Sequence, residues 1–242
     1  MSNADRSKPL TNTKGQTVSA SKDADVSAFL AQAEALKPQP GSDGRLIFAL
    51  DATMSRQPTW DTACHLQGEM FQEAARVGGL QIKLVFFRGF GECRASRWFT
   101  DGNALAAAMS RITCQGGRTQ IRKVLSAALE AADKDKIAGV VYVGDCMEEN
   151  VDLLCERAGE LGLKGVPLFL FQEGRDPVAE QAFREMARLS GGAYCRFDQG
   201  AAQQLRDLLK AVAAFAGGGR SALTALEKSG GAGARLLLEQ LK

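Results

Sequence analysis

From Arg45 onward, short apolar runs alternate with amphipathic stretches. The runs predict strands at 45–50, 81–87, 93–99, 139–144, 166–171 and 193–197. The intervening stretches predict helices at 59–77, 103–110, 120–133, 149–162, 177–190 and 200–216. One carries Ile121, Val124, Leu125 and Ala128 on a single side, and another carries Leu205, Leu208, Leu209, Val212 and Phe215. Strands without internal polar alternation, each followed by such a helix, imply a parallel sheet covered on both faces. The run QIKLVFFRGFGECRASRWF departs from this rule. Its two strands are separated only by a short glycine-containing turn, so they should pair antiparallel. The expected fold is α/β, doubly wound and Rossmann-like: a mostly parallel six-stranded sheet with one antiparallel edge strand and helices on both faces.

The ends of the chain read differently. Residues 1–24 are polar, with little to bury, and read as a disordered tail. Residues 25–44 hold an amphipathic helix with Val26, Phe29, Leu30, Ala33 and Leu36 in a stripe, then a Pro/Gly linker. The main domain is expected over 45–216. Beyond it, 217–242 reads as a glycine-rich linker with a short C-terminal helix that could dock or serve as a partner-binding tail.

Composition narrows the function. Thirty basic against 28 acidic residues leave a formal charge of +2, too balanced for a nucleic-acid or anionic-membrane surface. No apolar run reaches the length of a membrane span, and the N-terminus has no secretory apolar core. The six cysteines form no CxxC pair and read as reduced thiols, which fits a cytoplasmic protein, with a monomer as the default state.

The candidate chemistry begins at LIFALDATMSRQPTWD, residues 46–61, where a buried-looking strand ends in a carboxylate and two hydroxyls. In an open parallel sheet, residues just past the carboxyl ends of strands line the crevice where ligands bind. Asp51, Thr53 and Ser55 follow the first strand, and Asp145 follows AGVVYVG. Thr119 opens a helix on the Gly-Gly loop of CQGGRTQIRK. If the first and fourth strands are neighbours, these oxygens converge into a hard set suited to Mg²⁺ or Mn²⁺. Taken singly, each has an ordinary reading: a strand-end aspartate, a helix N-cap at Thr119, a turn residue at Asp145.

Asp51, Thr53 and Ser55, then Thr119, then Asp145, resemble the metal-ion-dependent adhesion site (MIDAS) of von Willebrand factor A (VWA) domains. The resemblance covers roughly 45–216. The sequence has Thr at position 53 where Ser is commoner, and VGDC where the family usually has Asp-Gly. The resemblance implies a metal whose open position accepts a carboxylate from a partner protein, in a binding module and not an enzyme. The compact form and missing signal look more like a bacterial member.

Arg56, Arg88, Arg94 and Arg118 fall on loops expected at or near that end of the sheet, with Trp60 and Phe90 nearby. Together they would form a basic rim around the metal, suited to a partner presenting Asp or Glu. His65, the only histidine, has no second ligand at i+4. Glu148 and Glu149 are expected to favour the start of the helix that follows them. Two rival functions remain. One is a Mg²⁺-dependent hydrolase or phosphotransferase, for which no Walker run or Ser-His-Asp set is present. The other is a scaffold acting through its terminal helices.

Overall fold

A computed structural model describes residues 44–77, 79–197 and 202–241. The expected tail and amphipathic helix therefore lie outside the described residues, apart from Gly44.

Six strands form one sheet: β1 (Gly44–Asp51), β2 (Leu80–Arg88), β3 (Glu92–Phe99), β4 (Gly139–Gly144), β5 (Leu168–Glu173) and β6 (Ala193–Phe197). Their order is β3-β2-β1-β4-β5-β6. All neighbours are parallel except β2 and β3, which pair antiparallel around the Gly89–Phe90–Gly91 turn. β3 lies at the edge of the sheet, and its antiparallel pairing follows from the lack of a crossover helix.

Among the described residues the α-helices are α1 (Gln57–Val77), α2 (Gly102–Met109), α3 (Ile121–Ala132), α4 (Val151–Leu163), α5 (Pro177–Ser190), α6 (Ala202–Lys228) and α7 (Ala232–Leu238). The two-residue period of β1 sorts them into layers. Leu46, Phe48 and Leu50 face a core shared with α1, α2, α6 and α7. Ile47 and Ala49 face the opposite core, built with α3, α4 and α5. Both faces of β1 are thus buried, which is why its sequence is a continuous apolar run.

The C-terminal region differs from the expected linker. The helix that was to end at 216 continues through the glycine triplet to Gly219, whose φ of 63° and ψ of −158° break it. It then resumes as far as Lys228. The terminal helix α7 is docked: Ala234 and Leu237 are fully buried in the first core. Gly233 makes this possible, because a Cβ there would lie 2.3 Å from the Asp207 carbonyl oxygen. Tertiary packing outweighs the low helix propensity of glycine.

The strand order matters most for function. β1 lies between β2 and β4, so the chain leaves the sheet in opposite directions from β1 and β4. That is the switch point where an open α/β sheet has a crevice at the carboxyl ends of its strands. Asp51 ends β1, and Asp145 directly follows β4.

Candidate metal centre

The crevice is built from four chain segments. β1 runs out at Asp51, and the Ala52 N–H donates to the Phe87 carbonyl at 2.9 Å, tying its end to β2. A single 3₁₀ turn, Met54–Arg56, then leads into α1. The loop before α3 is pinned beside it: the Gln115 N–H donates to the Ala52 carbonyl at 3.0 Å, and the Arg118 N–H to the Gly89 carbonyl at 3.1 Å. Gly117 allows that approach, since a Cβ there would sit 2.0 Å from the Gly89 oxygen. The loop after β4 and the end of β5 complete the rim.

Asp51 is only 2% exposed. Its Oδ1 accepts the Thr53 N–H at 2.7 Å, while its buried Oδ2 has no protein partner. The Thr53 Oγ1 and Ser55 Oγ lie 3.3 Å apart, with Thr53 buried and Ser55 open to solvent. Asp145 presents a second buried, unpartnered oxygen, Oδ1. Burial, and secondarily the charge of Asp145, push the Asp51 carboxyl up to about 6, against the Thr53 hydrogen bonds and Arg56. Two carboxylates that feel each other's charge, each with a buried bare oxygen, are an arrangement a cation would complete.

Thr119 does not cap α3. Gln120 is the N-cap residue, and it makes no side-chain cap bond. The Thr119 hydroxyl instead accepts the Glu148 N–H at 3.0 Å, and the Thr119 N–H donates to Glu148 Oε2 at 3.1 Å. This ties Thr119 to the loop that begins at Asp145. Glu149 accepts the N–H groups of Ile121 and Arg122 at 2.5 and 3.0 Å, so its charge sits at the N-terminus of α3. The expectation that Glu148 and Glu149 serve the following helix is therefore corrected: Asn150 caps α4, and the two glutamates serve the Thr119 segment.

The donor chemistry fits a hard cation. Among the described residues, no three carboxylate, thiol or imidazole groups gather as a metal site, so any ion here would depend on the hydroxyls. Cys146, beside Asp145, is pushed up to about 12 by burial first and then by Asp145, so it stays a neutral thiol. Among the described residues no non-glycine residue has a positive φ, so Cys146 stands where the family usually has glycine without backbone strain. His65 is exposed on α1.

The expected rim is reshaped. Arg56 is 2% exposed and forms a buried ion pair with Glu173 at the end of β5. Trp60 is equally buried, packed edge-on against Phe86 at 6.2 Å between ring centroids. Neither can touch a partner, because the start of α1 turns both inward against the sheet. Arg88 is half-buried, paired with Glu92 at 2.8 Å and bonded to the Thr113 carbonyl. Arg94 lies on the edge strand β3 and also pairs with Glu92, at 2.6 Å. What remains exposed near the crevice is Arg118, with Phe90 at 83% and Met54 at 60%. Glu173 was not singled out in the sequence, although it carries the signal that marks Asp51: a carboxylate ending an apolar run.

No family model matches this sequence, and no curated protein is similar to it. Solved structures do share its fold. A von Willebrand factor type A protein from Catenulispora acidiphila superposes with a TM-score of 0.57 at 15% identity, over 72% of this chain. The SpRpn10 VWA domain gives 0.55 at 11% identity, over 67% of this chain and 93% of that one. Proximal thread matrix protein 1 from the mussel byssus, with a zinc-occupied MIDAS motif, gives 0.56 at 15% identity over 78% of this chain. This chain spans 43% of the Catenulispora protein and 52% of the mussel protein. Its fold is that of von Willebrand factor A domains. Among the described residues no helix is long and apolar enough to cross a membrane.

Proposed function

We propose that this protein is a metal-dependent protein-interaction module. Asp51, Thr53, Ser55, Thr119 and Asp145 would hold a divalent cation, Mg²⁺ or Mn²⁺ by the hardness of the set. The observation that carries this reading is the pair of buried carboxylate oxygens, Asp51 Oδ2 and Asp145 Oδ1, left without protein partners at the switch point of the sheet. When bound, the ion would supply a Lewis-acidic position for one further oxygen. The protein's own residues do the rest. The Thr53 N–H fixes one Asp51 oxygen and leaves the other free. Glu148 holds Thr119 in place.

The partner we infer presents an Asp or Glu side chain. Arg118 would steer it, and Phe90 and Met54 offer apolar contact around it. The zinc-occupied motif of the mussel protein supports the reading by showing that this fold can hold a divalent ion at such a motif.

The test is a calorimetric and thermal-melt titration with Mg²⁺ and Mn²⁺, beside Asp51→Ala and Asp145→Ala. A saturable shift in melting temperature that both substitutions abolish is expected. The partner arm is a capture experiment with and without metal. If wild type and the Asp51→Ala, Asp145→Ala double variant recover the same partners, the metal-dependent reading fails.

A further inference from the structure

The two edges of the sheet are closed in different ways. β3 carries a register shift against β2 between Lys83 and Val85, and it presents exposed Arg94 and Arg97. A bulge and charges of this kind blunt an edge permanently. β6 pairs with β5 in unbroken register, and among the described residues no strand lies on its outer side.

The backbone groups of a strand point to its two sides alternately, residue by residue. On β6 the outward residue is Tyr194. Its N–H donates to Gln240 Oε1 and its carbonyl accepts from Gln240 Nε2, both at 2.8 Å. One side-chain amide thus makes both bonds that a neighbouring strand would make. Two residues on, the Arg196 carbonyl accepts from Gln204 Nε2 at 2.9 Å. Two residues back, the Gly192 N–H donates to the Ala187 carbonyl at 2.9 Å. Gln240 itself is exposed, and a cleft of about 300 Å³ lined in part by Arg184, Arg188 and Tyr194 opens beside it. A clamp at the surface with open space next to it is one that an incoming strand can displace.

We infer that the outer edge of β6 is a pairing surface for a second copy of this chain, and that Gln240 keeps it closed by standing in for a strand. The occupant follows from self-complementarity. A two-fold axis at Cys195 sets two β6 strands antiparallel, with Tyr194 of each copy opposite Arg196 of the other. The outward residues then exchange N–H and carbonyl bonds with one another. The Tyr194 ring already receives a guanidinium, that of Arg184 at 4.4 Å, so an arginine opposite it is a compatible neighbour. Gln240 and the second copy compete for the same two backbone groups of Tyr194, so clamp and pairing exclude each other. None of this depends on the metal reading.

The experiment is sedimentation velocity over a concentration series on the full chain, for wild type, Gln240→Ala and Gln240→Ala with Arg196→Pro. Gln240→Ala should tighten self-association about tenfold over wild type, since the clamp's two hydrogen bonds no longer compete. Arg196→Pro removes an outward N–H from the edge strand, so adding it should return the chain to wild-type behaviour. Copper phenanthroline oxidation should cross-link the Gln240→Ala dimer through Cys195, which meets its counterpart across the axis at disulfide distance, and Cys195→Ser should prevent this. If Arg196→Pro impairs folding, hydrogen exchange at the Tyr194 amide reads the same point in Gln240→Ala alone: faster than wild type when dilute, protected as concentration rises. Gln240→Ala sedimenting as wild type does overturns the inference. So does a dimer that is indifferent to Arg196→Pro and forms no Cys195 cross-link.

Discussion

Thr119 and Glu148 hold each other by two hydrogen bonds, each using one backbone N–H and one side-chain oxygen, at 3.1 and 3.0 Å. The loop before α3 and the loop after β4 are thereby locked together at the mouth of the crevice. The Thr119 hydroxyl accepts one bond here, which leaves a lone pair and its proton for other use. Thr119→Ser should preserve the lock and the metal response. Thr119→Val should cost about 1 kcal/mol through the lost acceptor and abolish the metal-induced rise in melting temperature. Glu148→Ala keeps every proposed ligand yet loosens Thr119, so Mn²⁺ affinity should fall several-fold by calorimetry.

Asp51 sets a pH dependence. Its carboxyl is raised from 3.8 to about 6, so between those values the folded state holds a proton that the unfolded chain has lost. Folding stability from this group is greatest below about pH 4, declines as pH rises towards 6, and is flat above. Metal needs the carboxylate, so affinity moves the other way. Mn²⁺ should bind more weakly at pH 5 than at pH 7, by about tenfold for each unit below 6. Asp51→Asn should remove the decline in metal-free melting temperature, which a pH series of melts would read.

Trp60 and Phe90 separate packing from recognition. Trp60 is buried against Phe86, so Trp60→Ala should destabilise the domain by about 3–5 kcal/mol in chemical denaturation. Phe90 is exposed at the tip of the β2–β3 turn. Phe90→Ala should leave the denaturation midpoint unchanged and weaken capture of the partner.

The docked terminal helix is a stability element. Leu237→Ala should cost about 2–4 kcal/mol, because the side chain is fully buried in the core shared with α1 and α6. Truncation after Lys228 should expose that apolar surface and lower the melting temperature, while the metal-induced shift of the remaining fold persists. A truncated chain with an unchanged melting temperature would remove α7 from the core.

The strands were legible because parallel strands buried on both faces must be apolar throughout, as in LIFAL and GVVYV. The edge hairpin was legible because nothing but a glycine turn separates its strands. The Asp51, Thr53 and Ser55 spacing was legible because it is local. The rim was not. Arg56 and Trp60 stand in a polar-looking segment, and their burial depends on Glu173 and Phe86, contributed by other strands. The glycine triplet near 217–219 likewise suggests a linker, since composition carries no record of the helix that packs beside it.

By itself the sequence determined the strands, the helices and the oxygen-bearing residues at the strand ends, because each follows from local periodicity and side-chain chemistry. The tertiary structure alone decided that β1 lies beside β4, that Glu148 serves Thr119, and that Arg56 is drawn inward to pair with Glu173. Those depend on which distant segments share the crevice, and a charge can be buried only where other segments bring its counter-charges to it.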